Sequence, residues 1–545
     1  MSQLLSNIKE MLATLSNEKK GVFLLNGEVE LIASGLSQVS VGKQILVYDY
    51  ATTLPRYPYE PWLGMVIDRL QELSLPQRQK LYREANIYYV LQQLLESSLT
   101  TGVASREESL IEEEYLYEKR EILDGVWKLF IKLVALEASI VVVLKNIHKA
   151  SPSSLFFLDF VLDGECSSLQ VVGIYDFAAG SVSQELESLI KKAEEKRIVF
   201  DLWSGEGEER TEQEKPAEED YHQLDEEEKL LLQERSLAFL AACDGYQLGR
   251  KRLDKDDFFS LREDLQIRWY WNTAKAALLL KEWNEAAVYL NSAFVLMQRS
   301  HVSVAEHMLI YRDMAYIFLM KDNIVDALDL IEKAFHLSGS ESYKKAYFEV
   351  FFLYFEIEDK NRKQQPRPWR AIYDRIIALA TDLNYENHLA KIYINPYGIY
   401  SEYASDADKY NTLIFNEKGI ALAKKLHNIY RLSHGYQIRG LIYAVIGQYD
   451  QVIQWYRRSL VLKKRMGLPL EIAYGYNGVG FYYYMTGKYP QAYEYYTQAL
   501  DYLYNLKDFH EIAMTYFNMG MDCLLGLDYQ HAAIFFEEVL ELIEI

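Results

Sequence analysis

Two stretches near the end of the chain decide its fold: Glu471-Ile472-Ala473-Tyr474-Gly475-Tyr476-Asn477-Gly478-Val479-Gly480 and Glu511-Ile512-Ala513-Met514-Thr515-Tyr516-Phe517-Asn518-Met519-Gly520. They share Glu-Ile-Ala at one end and glycine at the other, and they lie 40 residues apart. The same spacing relates Gly440 to Gly480 and Tyr449 to Tyr489 and Tyr529. A fixed period of this size marks one supersecondary unit stacked repeatedly, because one unit cannot bury its apolar face alone.

Within each copy, small and large residues fall at fixed places. An aromatic stands at Tyr436, Tyr476 and Tyr516, and the small residue four positions on is Gly440, Gly480 and Gly520. Tyr443 and Tyr483 follow, with Cys523 as a departure. In the second half of the unit, Val452, Ala492 and Ala532 precede Tyr456, Tyr496 and Phe536, and Ser459, Ala499 and Val539 follow. Small residues let two antiparallel helices approach, and large ones fill the space beside them. This pattern resembles the tetratricopeptide repeat. A period of 40 rather than that family's 34 implies helices about a turn longer, or longer loops.

Worn copies extend the array towards the N-terminus. Thr412 and Gly419 occupy the second-helix small positions of one. Ala286 and Ala293 recur 41 residues on as Ala327 and Ala334. Ser340 to Asn384 reads as helix without a clear register. The array is therefore placed at residues 226–545.

Before it lies an acidic stretch, residues 204–225. From Glu206 to Glu228 twelve acidic residues face only Arg210 and Lys215. So little apolar area cannot offset the entropy of ordering, and the stretch reads as a flexible linker. The alternative is an acidic docking tail.

Residues 1–203 alternate apolar runs with helical stretches. Gly21–Leu25, Gln44–Tyr50, Ser139–Leu144 and Leu169–Tyr175 read as buried strands of a parallel α/β sheet. After the third run comes Lys145-Asn146-Ile147-His148-Lys149-Ala150-Ser151-Pro152. The frame resembles the second nucleotide motif of STAND-type P-loop ATPases, regulators that often precede repeat arrays. That family has an acidic pair where this chain has Lys145 and Asn146, and an aspartate where it has Ser151. Asn26 to Ser34 sits where the family's phosphate loop would be. There Gly27, Glu28 and Ser34 fit, Glu30 and Ile32 replace glycines, and Ala33 replaces the lysine. Tyr57-Pro58-Tyr59-Glu60-Pro61-Trp62 resembles a further segment of the family, and Asp176 stands in the region of its arginine.

The resemblance implies a degenerate ATPase fold. A phosphate cradle needs glycines whose backbone N–H groups turn inward and a lysine to neutralise charge. Side chains at Glu30 and Ile32 obstruct it, and Lys145 cannot hold Mg²⁺. No ATP hydrolysis and no bound nucleotide are expected. The sharper alternative is a nucleotide held without Mg²⁺, with Lys145 helping.

Composition narrows the remaining function classes. A formal charge of −21 opposes nucleic-acid binding, and no helix-turn-helix follows the last repeat. Cys166, Cys243 and Cys523 are too few and too scattered for a disulfide framework, which points to a reducing, cytoplasmic compartment. Val126 to Leu144 carries Lys128, Lys132 and Glu137, too much charge for a membrane span. No catalytic motif, cofactor motif or metal cluster is legible. The run Glu107, Glu108, Glu112, Glu113 and Glu114 reads as a solvated helix face.

The expected site is the concave face of the repeats, lined by first helices. Counting from the glycines gives His434, Gln437, Leu441 and Ala444, then Tyr474, Asn477, Phe481 and Tyr484, then Met514, Phe517, Met521 and Leu524. Each either faces the groove or packs on the neighbouring repeat. As a set they suit a peptide or a partner helix. The last helix, Ala532 to Ile545, carries Ile534 where earlier copies have Gln454 and Glu494. An apolar end implies self-association or a docked partner. The expected role is a non-catalytic protein- or peptide-binding scaffold. An ATP-driven switch and a peptide-pheromone sensor are the alternatives.

Overall fold

The computed structural model describes residues 22–26, 32–33, 36, 44–51, 56–106, 108–134, 140–162, 169–175, 183–196, 199–201, 225–300, 302–337, 343–361, 369–395 and 406–543. The chain divides into two compact units. One comprises residues 1–107 with 118–330, and the other residues 108–117 with 331–545.

The first unit holds a five-stranded sheet: β1 (Val22–Asn26), β2 (Gln44–Asp49), β3 (Ile140–Lys145), β4 (Leu169–Tyr175) and β5 (Val199–Asp201). All pairings are parallel and the order is β2-β3-β4-β1-β5. The four apolar runs expected as strands are four of these; β5 is too short for its periodicity to show. Leu24, Leu25, Val141 to Leu144 and Val171 to Tyr175 are buried, as a sheet covered on both faces requires.

Between β2 and β3 run α1 (Trp62–Gln71), α2 (Leu75–Ala85), α3 (Tyr89–Thr101) and α4 (Tyr115–Val134). Next come α5 (Pro152–Leu162) and α6 (Gln184–Glu195). Trp62 is fully buried, edge-on to Phe130 at 4.9 Å and stacked on Phe157 at 5.6 Å. The same unit continues with α7 (Glu226–Ala238), α8 (Ala242–Leu253), α9 (Glu263–Leu279), α10 (Trp283–Met297), α11 (Val304–Met320) and the start of α12 (Ile324–Leu337). Asp244 on α8 joins these helices to the α/β part. Its carboxylate accepts from the Ser153 N–H at 2.9 Å and from the Ser153 hydroxyl, and burial pushes its pKa up. Tyr59 donates its hydroxyl to the Phe239 carbonyl at 2.9 Å.

In the second unit are α13 (Lys344–Asn361), α14 (Trp369–Asp382), α15 (Glu386–Ile394), α16 (Asp406–Lys425), α17 (Ile429–Val445), α18 (Tyr449–Met466), α19 (Pro469–Met485), α20 (Tyr489–Leu506), α21 (Phe509–Leu525) and α22 (Tyr529–Ile543). The unregistered segment thus resolves into α13 and α14. Helices of 17 and 18 residues, with three-residue and two-residue turns, fill the 40-residue period. Longer helices, not longer loops, account for the excess.

The glycine–aromatic pairing recurs three times. A Cβ at Gly440 would lie 2.6 Å from the Tyr456 ring, at Gly480 2.7 Å from Tyr496, and at Gly520 2.6 Å from Phe536. Val452, Ala492 and Ala532 are buried, as are Ala286, Ala293, Ala327 and Ala334 in the earlier pair. The turn after each first helix uses a left-handed residue at the same period: Gly447 (φ 76°), Gly487 (φ 69°) and Leu527 (φ 65°). The third copy keeps the turn although a Cβ strains it.

Candidate functional site

A parallel sheet brings the carboxyl ends of its strands to one edge, where open α/β sheets bind ligands. Lys145 and Asn146 leave β3 at that edge, beside the end of β2. Both turn to Asp49. The Lys145 ammonium lies 3.2 Å from one carboxylate oxygen, and the Asn146 amide donates to the other at 2.7 Å. Burial alone would raise the Asp49 pKa, but these two contacts and the Ala51 N–H outweigh it and hold it low. The Lys145 cation is therefore neutralised within the sheet. Ile32 is buried and, with Ala33, belongs to a helical stretch. Gly27, Glu30 and Ser34 lie outside the described residues, as do Asp176, Cys166 and residues 204–224 of the acidic stretch; Asp225, its last residue, caps α7. Among the described residues, no three His, Cys, Asp or Glu converge to hold a metal ion.

On the repeats, the twelve first-helix positions divide into two kinds. His434 Nε2 lies 3.0 Å from Glu471, Tyr474 donates to Glu511 at 3.0 Å, and Asn477 donates to Thr515 at 3.0 Å. Gln437 accepts from Lys463 at 2.7 Å, and Ala444 is buried. These five serve neighbouring helices. Leu441 and Met521 are half-buried, and so are Phe481 and Tyr484, whose rings stack at 6.1 Å. Met514, Phe517 and Leu524 are exposed by 48, 44 and 37%. On the last helix Tyr529, Ile534 and Leu540 are exposed as well.

A second cluster in this unit was not foreseen. Residues 108–117 lie across the N-terminal ends of α15 and α17. The Glu108 carboxylate accepts from the backbone N–H groups of Asn387, at 3.0 and 3.1 Å, and of His388, at 3.2 Å. A helix N-terminus favours an anion through these unpaired donors and its dipole. His388 Nδ1 is 3.0 Å from Glu108, and its Nε2 is 3.2 Å from the Ser109 hydroxyl. The segment then makes a 3₁₀ turn, Glu112–Glu114, with Ile111 buried. Glu114 is wholly buried; it pairs with Arg431 and accepts from the amides of Asn387 and Asn428, each at 3.2 Å. Glu113 accepts from Arg431 at 2.7 Å and lies 3.3 Å from Lys391. Tyr117 closes the contact: its hydroxyl accepts from the Ile429 N–H at 3.2 Å, and its ring stacks on Tyr430 at 5.8 Å.

The charges reinforce one another. Burial would raise the Glu113 pKa, but Lys391 and Arg431 outweigh it and hold the carboxyl below its usual range. Burial would lower Lys391, but Glu113 and Glu356 raise it. The expectation of a solvated helix face is thus corrected for Glu108, Glu113 and Glu114. Their carboxylates find fixed donors, so a hydrated surface is not their lowest state. Glu107 lies outside the described residues.

Residues 471–544 match the tetratricopeptide repeat family. That match coincides with the hairpins whose glycines and aromatics interlock. Among solved structures the chain is similar to the apo quorum sensor NprR from B. thuringiensis, at 14% identity over 66% of this chain and 94% of that one, with a TM-score of 0.47. Apo RapI gives 11% identity over 60% and 90%, with a TM-score of 0.46. A STAND protein with a tetratricopeptide repeat sensor from Pyrococcus horikoshii gives 12% over 100% and 89%, with a TM-score of 0.37. No curated protein matches the sequence.

The tetratricopeptide period itself carries the signal that would have exposed the second cluster. Arg431, Glu471 and Glu511 occupy one position of successive repeats. The two glutamates are answered from the preceding first helix, by His434 and Tyr474. At Arg431 the sign is reversed, and the position 40 residues before His434 holds Ile394, which offers no charge. A cation without a counter-charge in its own register calls for an acid from elsewhere in the chain.

Proposed function

We propose that the tetratricopeptide array binds a protein or peptide through the first helices of its last two repeats, and that the α/β part neither holds nor hydrolyses ATP. The observation that carries the first reading is the row Phe481, Tyr484, Met514, Phe517 and Leu524, half-buried or exposed on successive first helices. Aromatic and methionine side chains give large contact area at low entropy cost, and such residues dominate binding energy at interfaces. The chain then works by presenting a surface.

The test compares native chain with the pair Met514→Ala and Phe517→Ala as immobilised bait in native extract. A partner held through this row is recovered at least about tenfold less by the variant. Equal recovery of every bound protein sinks the reading.

For the α/β part, the supporting observation is the Lys145–Asp49 ion pair where a metal-binding acid would be needed. Calorimetric titration with ATP, with and without Mg²⁺, should give no binding heat. A micromolar site in either titration overturns it.

A further inference from the structure

Arg431 is 1% exposed, and its carboxylate partners, Glu113 and Glu114, both come from residues 108–117. Around it stand Lys391, the amides of Asn387 and Asn428, and the N-terminal N–H groups of α15 and α17. Every one of these is a donor, and those named here meet an oxygen of the same ten-residue segment. The later repeats answer Glu471 and Glu511 from within, whereas the Arg431 guanidinium meets the carboxylates of this segment; Lys391 has Glu356 as a second partner, and the Asn428 amide also donates to Asn387 at 3.0 Å. Such a surface is built for carboxylates presented by a peptide.

We propose that Asn387, Lys391, Asn428 and Arg431 form an acidic-peptide site, with residues 108–117 as its resident, displaceable occupant. The fitting partner is a peptide with two adjacent carboxylates, an aromatic hydroxyl three residues on and a further carboxylate five residues before, the pattern of Glu108, Glu113, Glu114 and Tyr117. Recognition runs through side-chain carboxylates and one hydroxyl, groups that a second peptide reproduces atom for atom. The apolar anchors are few: Ile111, Tyr115 and Tyr117 are the buried ones. Glu113 keeps 45% of its side chain in solvent, so its ion pairs are open to competition and to salt. Because the occupant is tethered, it acts at an effective concentration on the order of millimolar. A competitor therefore binds in proportion to the fraction of time the site stands open.

The experiment uses the full chain and a fluorescein-labelled synthetic peptide with the sequence of residues 108–117, read by anisotropy. The triple variant Glu108→Gln, Glu113→Gln, Glu114→Gln loosens the resident segment and should bind the peptide at least about tenfold more tightly than the native chain. Adding Arg431→Gln to that variant should abolish the gain, and a scrambled peptide of the same composition should bind at least about tenfold more weakly. A milder pair, Glu108→Gln with Tyr117→Phe, keeps the Arg431 ion pairs and tests the idea if the triple variant loses its helical circular dichroism. It should gain about threefold. The proposal is overturned if a folded variant of either kind binds no more tightly than the native chain, if Arg431→Gln changes nothing, or if the scrambled peptide binds equally well. The site is independent of the apolar row, so Met514→Ala with Phe517→Ala should leave this peptide binding unchanged.

Discussion

The repeats beginning at Ile429 and at Pro469 have nearly the same backbone but opposite electrostatics. In the later one Glu471 is satisfied locally, 3.0 Å from His434 and 2.8 Å from Lys463. In the earlier one Arg431 waits for glutamates 317 and 318 residues away in sequence. The packing template is shared: Gly440 against Tyr456, Gly480 against Tyr496. At the register position of Arg431 and Glu471 the sign of the charge is reversed. A repeat can thus keep its core and change what it recruits.

The largest test of that contrast removes the cation. Arg431→Ala leaves Glu114 buried without its partner, and unfolding should become easier by about 3 to 5 kcal/mol. Urea denaturation followed by circular dichroism measures it, and a loss below ~1 kcal/mol would erase the distinction between the two repeats. Gly480→Ala attacks the shared template instead. Its Cβ must displace the Tyr496 ring, which costs about 1 to 3 kcal/mol, and Gly440→Ala should cost a similar amount because the contact is the same.

The pH dependence sharpens the local pair. Burial would raise the Glu471 pKa, but His434 and Lys463 pull it down from 4.5 to about 2. Its stabilisation is therefore complete above the ordinary carboxylate range and is lost as pH falls from about 4.5 towards 2, on the order of 2 kcal/mol in all. Thermal melts between those limits should shift less in Glu471→Gln than in the native chain. The smallest effect is a gain: Leu527→Gly relieves the left-handed turn that Gly447 and Gly487 make without strain, worth about 1 kcal/mol. A melting temperature that fails to rise counts against strain there.

Much of the fold could be read from residues alone. The period of the glycines and aromatics set the pairing of helices but left open whether longer helices or longer loops fill it, and the apolar runs located four strands whose bounds shift by at most a residue or so. First-helix positions were legible as a set, but their division was not. Whether Tyr474 lines a groove or donates to Glu511 depends on a neighbour 37 residues on. Glu108, Glu113 and Glu114 could not be told from a solvated face, because charge next to charge normally means hydration. Their partners, Asn387, Asn428 and Arg431, lie more than 270 residues away.

The sequence by itself determined the repeat, its 40-residue period and the alternation that makes the parallel sheet, since these follow from side-chain volume and periodicity over a few turns of chain. Only the tertiary structure decided where Glu113, Glu114 and Lys145 find their counter-charges. An ion pair is specified by distance in space, and nothing local in the chain encodes which distant donor will arrive within 3 or 4 Å.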